Sequence, residues 1–140
     1  MPTFHGEDKY IFEYQTPATL DQAAPVQNTW YTILPTTSNV LIHHIATNIE
    51  DTNETVEIQI TIDGETITGS VAQTHSDNYY WFWAADAISQ TDVMESSNDI
   101  RYATNQVIQG KSIKIEARKT TAAGVGNLTG IVIYGVLKHA

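Results

Sequence analysis

The chain has 140 residues, no cysteine and a formal net charge of −9, which excludes disulfide scaffolds, thiolate metal sites and thiol nucleophiles. From Tyr10 to Ile100 it carries thirteen carboxylates and neither Lys nor Arg. That distribution excludes a continuous basic coat for nucleic acid and disfavours anionic membrane surfaces. One domain is expected at this length, with enough buried surface to need neither metal nor disulfide. The first residues, MPTFHGEDKY, lack the basic and apolar regions of a secretory signal, and no run approaches the roughly 20 apolar residues of a spanning helix.

In chain order, residues 9–14 alternate Tyr10, Phe12 and Tyr14 against Ile11 and Glu13, a strand pattern. Residues 1–27 hold three of the four prolines, and the only helical candidate in the chain is the short stretch 19–24 between Pro17 and Pro25. The predicted organisation is an N-terminal arm over residues 1–27 and a β-sandwich domain over residues 28–140. Residues 29–34 read as a strand ended by Pro35, and residues 40–49 as a further strand. His43 and His44 are adjacent there, so plain alternation sends them to opposite faces and they do not share a metal.

Residues 55–63 place Val56, Ile58, Ile60 and Ile62 on one face and Glu57, Gln59 and Thr61 on the other. Asp63-Gly64 then signals a two-residue hairpin, with Ile67 and Val71 on the return strand. Residues 78–84 carry five consecutive aromatics, Tyr79 to Trp83. Residues 111–119 alternate Ile113, Ile115 and Ala117 against Ser112, Lys114, Glu116 and Arg118. Residues 127–137 close the pattern and are apolar on both faces: Leu128, Val132, Tyr134 and Val136 on one, Ile131, Ile133 and Leu137 on the other. Gly130 and Gly135 there read as bulges or close backbone contacts. About eight short strands with little helix predict an all-β fold, a single jelly-roll-like antiparallel β-sandwich.

No catalytic frame is present, and the expectation is a protein that is not an enzyme. An antiparallel strand that is apolar on both faces must be covered twice. Either an arm of the same chain covers it or a second subunit does, and the weaker repeat of the pattern in residues 40–49 favours a homo-oligomer, with a trimer as the expected form. The candidate interface comprises Tyr10, Phe12, Tyr14, Lys114, Arg118, Ile131, Ile133 and Leu137. In it, the basic strip of residues 111–119 meets acidic neighbours. The competing use of exposed strand aromatics is stacking on sugar rings, with Tyr79, Trp81 and Trp83 as the candidates. Residues 86–99 form a long acidic loop. Asp86, Asp92, Glu95 and Asp99 there are candidate hard-oxygen ligands for calcium, although their spacing fits no EF-hand loop; a solvated loop is the competing reading, and no other cofactor is expected.

The Thr- and Asn-rich β body, the absence of cysteine and the N-terminal arm resemble small phage and viral virion proteins, namely capsid decoration proteins and tail or spike components built on jelly rolls. The ending KSIKIEARKTTAAGVGNLTGIVIYGVL, residues 111–137, is similar to the closing hairpin of such modules. The resemblance implies a bacteriophage or viral structural protein located in the virion, made in the host cytoplasm. Its partners would be further copies and a major capsid or tail protein lattice, without nucleic acid or membrane. The alternatives are a carbohydrate-binding β-sandwich module and a subunit of an extracellular protein filament.

Overall fold

The computed structural model describes residues 10–49, 54–73, 80–84, 108–121 and 126–139. The described residues contain eight strands and no helix: β1 (Tyr10–Tyr14), β2 (Ala18–Gln22), β3 (Tyr31–Ile49), β4 (Glu54–Ile62), β5 (Glu65–Gln73), β6 (Tyr80–Ala84), β7 (Ile108–Lys119) and β8 (Leu128–His139). Every pairing is antiparallel, so the all-β antiparallel class expected from the alternation is the class the chain adopts. The strand order is β1-β8-β3-β7-β4-β5, with β2 also on β8 and β6 also on β3.

The length of β3 explains this branching. Its first part, Tyr31 to Ile42, pairs with β7, while Val40 to Ile49 pairs with β8. β3 therefore belongs to two sheet halves, and the sheet folds over on itself along it. Ile33 from the first half meets Gly130 of β8 across the interior. The core between the halves is aliphatic: Leu34, Ile42, Ile45 and Ile49 of β3, Ile58 of β4, Ile113 and Ile115 of β7, and Leu128 of β8 are fully buried. Close-packed β-branched side chains of this kind suit a pleated, doubly covered surface.

Two segments depart from the expectations. Residues 19–24, the helical candidate, contribute instead to β2. There Ala18 and Leu20 pack against the core while Thr19 and Asp21 stay exposed. The edge of β8 supplies backbone partners for this segment, and tertiary pairing overrides a weak local preference. Pro35 does not end its strand. The β3–β7 register shifts between Leu34 and Thr37, and Pro35 sits exposed in that shift, where the ladder needs no donor from it.

The hairpin at Asp63-Gly64 forms as read. Ile62 pairs with Glu65, and both turn residues have positive φ, 51° and 88°, the requirement of a type I′ turn. Of the residues expected as an arm, those described, 10–27, are tied to the body of the same chain. β1 and β2 pair with β8, Gln15 N donates to Tyr134 O, Gln27 Nε2 donates to Thr120 O at 2.8 Å, and Asn127 Nδ2 donates to Asp21 Oδ1 at 3.0 Å.

Candidate interaction surface

β8, apolar on both faces, is covered along both edges by its own chain. β3 lies along one edge from Leu128 to Val136. β2 and then β1 lie along the other, from Leu128 to Val132 and from Gly135 to His139. One face of β8 enters the core through Leu128 and Val132, with Tyr134 and Val136 packed against it. Gly130 fits the close-contact reading, because a Cβ there would lie 2.7 Å from Ile33 Cδ1. At Gly135 a Cβ would lie 3.2 Å from the Glu13 carbonyl oxygen of β1.

The opposite face carries Ile131 and Ile133, both half-buried, and Leu137, 37% exposed. Phe12 pairs directly with Leu137 and Tyr14 with Gly135, so the aromatic side chains of β1 continue this face. Tyr14 is 55% exposed, and Ile11, on the other face of β1, is 53% exposed. Of the expected interface residues, then, Phe12, Tyr14, Ile131, Ile133 and Leu137 share one sheet face at the β1–β8 end. Tyr10 pairs with His139 at the end of the same ladder.

His43 and His44 do not follow plain alternation. Ile42 pairs with Tyr134 but His44 with Ile133, so His43 is the extra residue of a β-bulge. The two imidazole rings therefore lie 5.6 Å apart, and Tyr14 meets the His43 ring edge-on at 5.1 Å. The expectation of opposite faces fails because a bulge re-aims side chains locally. From residue 40 on, the members of the core cluster on β3 run Val40, Ile42, then Ile45 and Ile49, a slip of one residue in the two-residue period.

Lys114 and Arg118, the other expected interface residues, lie on β7, which β3 separates from β8 in the strand order. Arg118 is engaged within the chain. Its Nε and Nη2 are both 2.6 Å from Glu57 Oε1, and its guanidinium lies over the Trp30 ring, 4.4 Å from the centroid. Lys114 Nζ is 3.4 Å from Glu116 Oε2. Lys119 is buried, opposite Val56. Lys114 and Arg118 are thus each matched by a carboxylate of their own sheet, while Lys111, at the start of the strip, lies beside Phe12 and Leu137.

Among the sugar-stacking candidates, Trp81 pairs with Ala46 and Trp83 with Ile45 in the β3–β6 ladder, and Tyr79 lies outside the described residues. Asp86, Asp92, Glu95 and Asp99 also lie outside the described residues. Among the described residues no group of three or more His, Asp or Glu is placed to hold a metal ion. No known protein family, curated protein or solved structure matches this chain.

Proposed function

We propose that this chain is a structural, self-associating protein of a viral particle, jelly-roll-like in fold, that docks on a capsid or tail lattice as a homo-oligomer. The observation that carries the proposal is β1. It is the terminal strand of the order and exposes large apolar side chains on both faces, Ile11 on one and Tyr14 on the other. A terminal strand of this kind invites a strand from another molecule unless it is blunted by charge or covered. Its single carboxylate, Glu13, is 3.6 Å from Lys138, which leaves the local charge near neutral. A second copy of the chain is the occupant that matches this edge, since its own β1 is equally short, apolar and locally neutral, so the contact itself adds little to the repulsion between two acidic bodies.

Sedimentation velocity of the intact chain tests this. A closed oligomer, with a trimer as the expected form, supports the proposal. Ile11→Lys together with Tyr14→Lys should convert it to a folded monomer. A wild-type chain that stays monomeric at its solubility limit, or an oligomer indifferent to both substitutions, overturns it.

A further inference from the structure

A groove of about 260 Å³ opens where the ends of β1 and β8 meet the middle of β3, the Asp63 turn and the start of β7. Its polar side chains are Asp63, Lys111, Asn39 and Gln109, and its apolar wall comes from Phe12 and Leu137. The register explains the convergence. Phe12 pairs with Leu137; Ser38 pairs with Ser112 and Val40 with Gly110, which sets Asn39 level with Lys111.

The groove is built on fixed backbone. Asp63 N donates to Ser112 O at 2.9 Å, and Ser112 N donates back to Asp63 Oδ1 at 2.9 Å. This reciprocal pair holds the turn against β7 and orients the carboxylate. Asn39 has φ 54°, a left-handed conformation that Asn tolerates better than most residues and that turns its side chain out of the strand's ordinary alternation. At Gly110 a Cβ would lie 2.9 Å from both Ile113 Cγ1 and Ile62 Cγ2, so glycine lets β7 run close to the β4 end at the groove floor. The second Asp63 oxygen and the side chains of Asn39, Gln109 and Lys111 make no hydrogen bond among the described residues.

The group inventory selects the ligand class. One carboxylate and one ammonium cancel in charge, so a phosphate faces Asp63 and a cation faces Lys111, each at a cost. Two amides add a donor and an acceptor apiece. A neutral ligand that both donates and accepts, and that has an apolar face for the Phe12 ring, satisfies every wall. The volume lies below the ~300–1,000 Å³ of sites for drug-sized molecules, so the ligand is one ring in size. We propose that this groove is a saccharide subsite taking a single pyranose-sized unit: Asp63 accepts from vicinal hydroxyls, Asn39, Gln109 and Lys111 bond the remainder, and Phe12 packs on the apolar ring face. The site is distinct from the aromatic run of β6; it shares Phe12 and Leu137 with the β1–β8 face, so it goes beyond the assembly role where a second copy pairs with the edge of β1 and leaves that end of the face open to glycan.

Backbone amide NMR of the intact chain, titrated with glucose, galactose, mannose and N-acetylglucosamine, tests this. Inorganic phosphate and calcium chloride serve as the contrasting probes. The expected result is saturable shifts at Asn39, Asp63 and Lys111 with at least one sugar, and none with phosphate or calcium. Asp63→Ala and Phe12→Ala should each weaken binding by about tenfold or more. Lys111→Ala, at an exposed strand position, should weaken it with the amide spectrum otherwise unchanged, which guards against loss of fold. No sugar shifting these amides up to its solubility limit overturns the proposal. So do binding that survives Phe12→Ala and Lys111→Ala unchanged, and shifts produced by phosphate or calcium instead.

Discussion

Ile33 of β3 stands directly over Gly130 of β8, with room for no side chain between them: a Cβ on residue 130 would lie 2.7 Å from Ile33 Cδ1 and 3.1 Å from its Cγ1. This contact joins the two halves of the folded sheet through its shared strand. Ile33 is 3% exposed, so its β-branched side chain cannot swing aside into solvent. Gly130→Ala should therefore destabilise the fold by about 1–3 kcal/mol, the usual range for overpacking a well-filled core. Ile33→Val removes the atom in closest conflict and alone should cost about 0.5–1.5 kcal/mol. Combined with Gly130→Ala it should recover stability, giving a coupling of opposite sign to the single effects. Urea denaturation of the four species measures this, and strict additivity would show that the two layers do not meet at this pair.

Arg118 makes the second prediction. Its guanidinium is fixed between the Trp30 ring and the Glu57 carboxylate, and its side chain is 28% exposed. A fixed, planar donor of this kind is not replaced by an ammonium. Arg118→Lys should lower stability by about 1 kcal/mol, after allowance for solvent screening of a partly open pair. A double-mutant cycle between Trp30→Ala and Arg118→Ala should give a coupling of roughly 0.5–1 kcal/mol. Charge reversal, Arg118→Glu, would place two carboxylates side by side and should reduce the stability of the monomer itself. An Arg118→Glu chain as stable as wild type in thermal unfolding would remove this account of the basic strip.

Much of the fold was legible because the wet and dry faces of single strands are local facts. The run from Val56 to Ile62 and its Asp63-Gly64 turn needed no tertiary information, and both formed as read. Ile113, Ile115 and Ala117 on β7 were legible for the same reason. What was illegible depended on partners distant in sequence. Residues 18–22 became a strand because the edge of β8 was there to pair with. Residues 31–49 remained one strand through Pro35 because the ladder to β7 shifts at that point. The candidate surface was half legible. Phe12, Tyr14, Ile131, Ile133 and Leu137 converge on one face because alternation was counted correctly on β1 and β8. Lys114 and Arg118 do not join them, since nothing in a sequence of isolated strands says that β7 lies beyond β3. The groove was missed altogether, because its polar groups come from a turn, a left-handed Asn and the ends of two strands, none of which carries a periodic signal.

The boundary of the core can be tested on one cross-strand pair. Ile60 of β4 and Ile67 of β5 are direct partners, yet Ile60 is 3% exposed and Ile67 56%. The cover over Ile60 stops short of Ile67. Ile60→Ala should cost about 2–5 kcal/mol through lost burial and a residual cavity. Ile67→Ala should cost less than about 1 kcal/mol, because little area leaves water when this side chain folds. Comparable losses from the two substitutions, read from chemical denaturation midpoints at equal slope, would mean that Ile67 is covered in solution, and the natural cover would be another copy of β5.

The Asp63-Gly64 turn separates conformational from steric effects. Gly64 has φ 88° and nothing within 4 Å of where a Cβ would stand. Any loss on Gly64→Ala must therefore come from the backbone conformation alone, and about 1 kcal/mol is expected for an L residue held in the left-handed region. Asp63 has φ 51°, which Asn accommodates at least as well as Asp at this position of a type I′ turn. Asp63→Asn also keeps an oxygen to accept from Ser112 N. It should leave stability within about 0.5 kcal/mol of wild type, while Asp63→Ala should lose both the turn preference and the bond to β7. Thermal unfolding of the three variants should rank them Asp63→Asn, then Gly64→Ala and Asp63→Ala below it. An Asp63→Asn variant as unstable as Asp63→Ala would show that the negative charge, and not the acceptor geometry, holds the turn against β7.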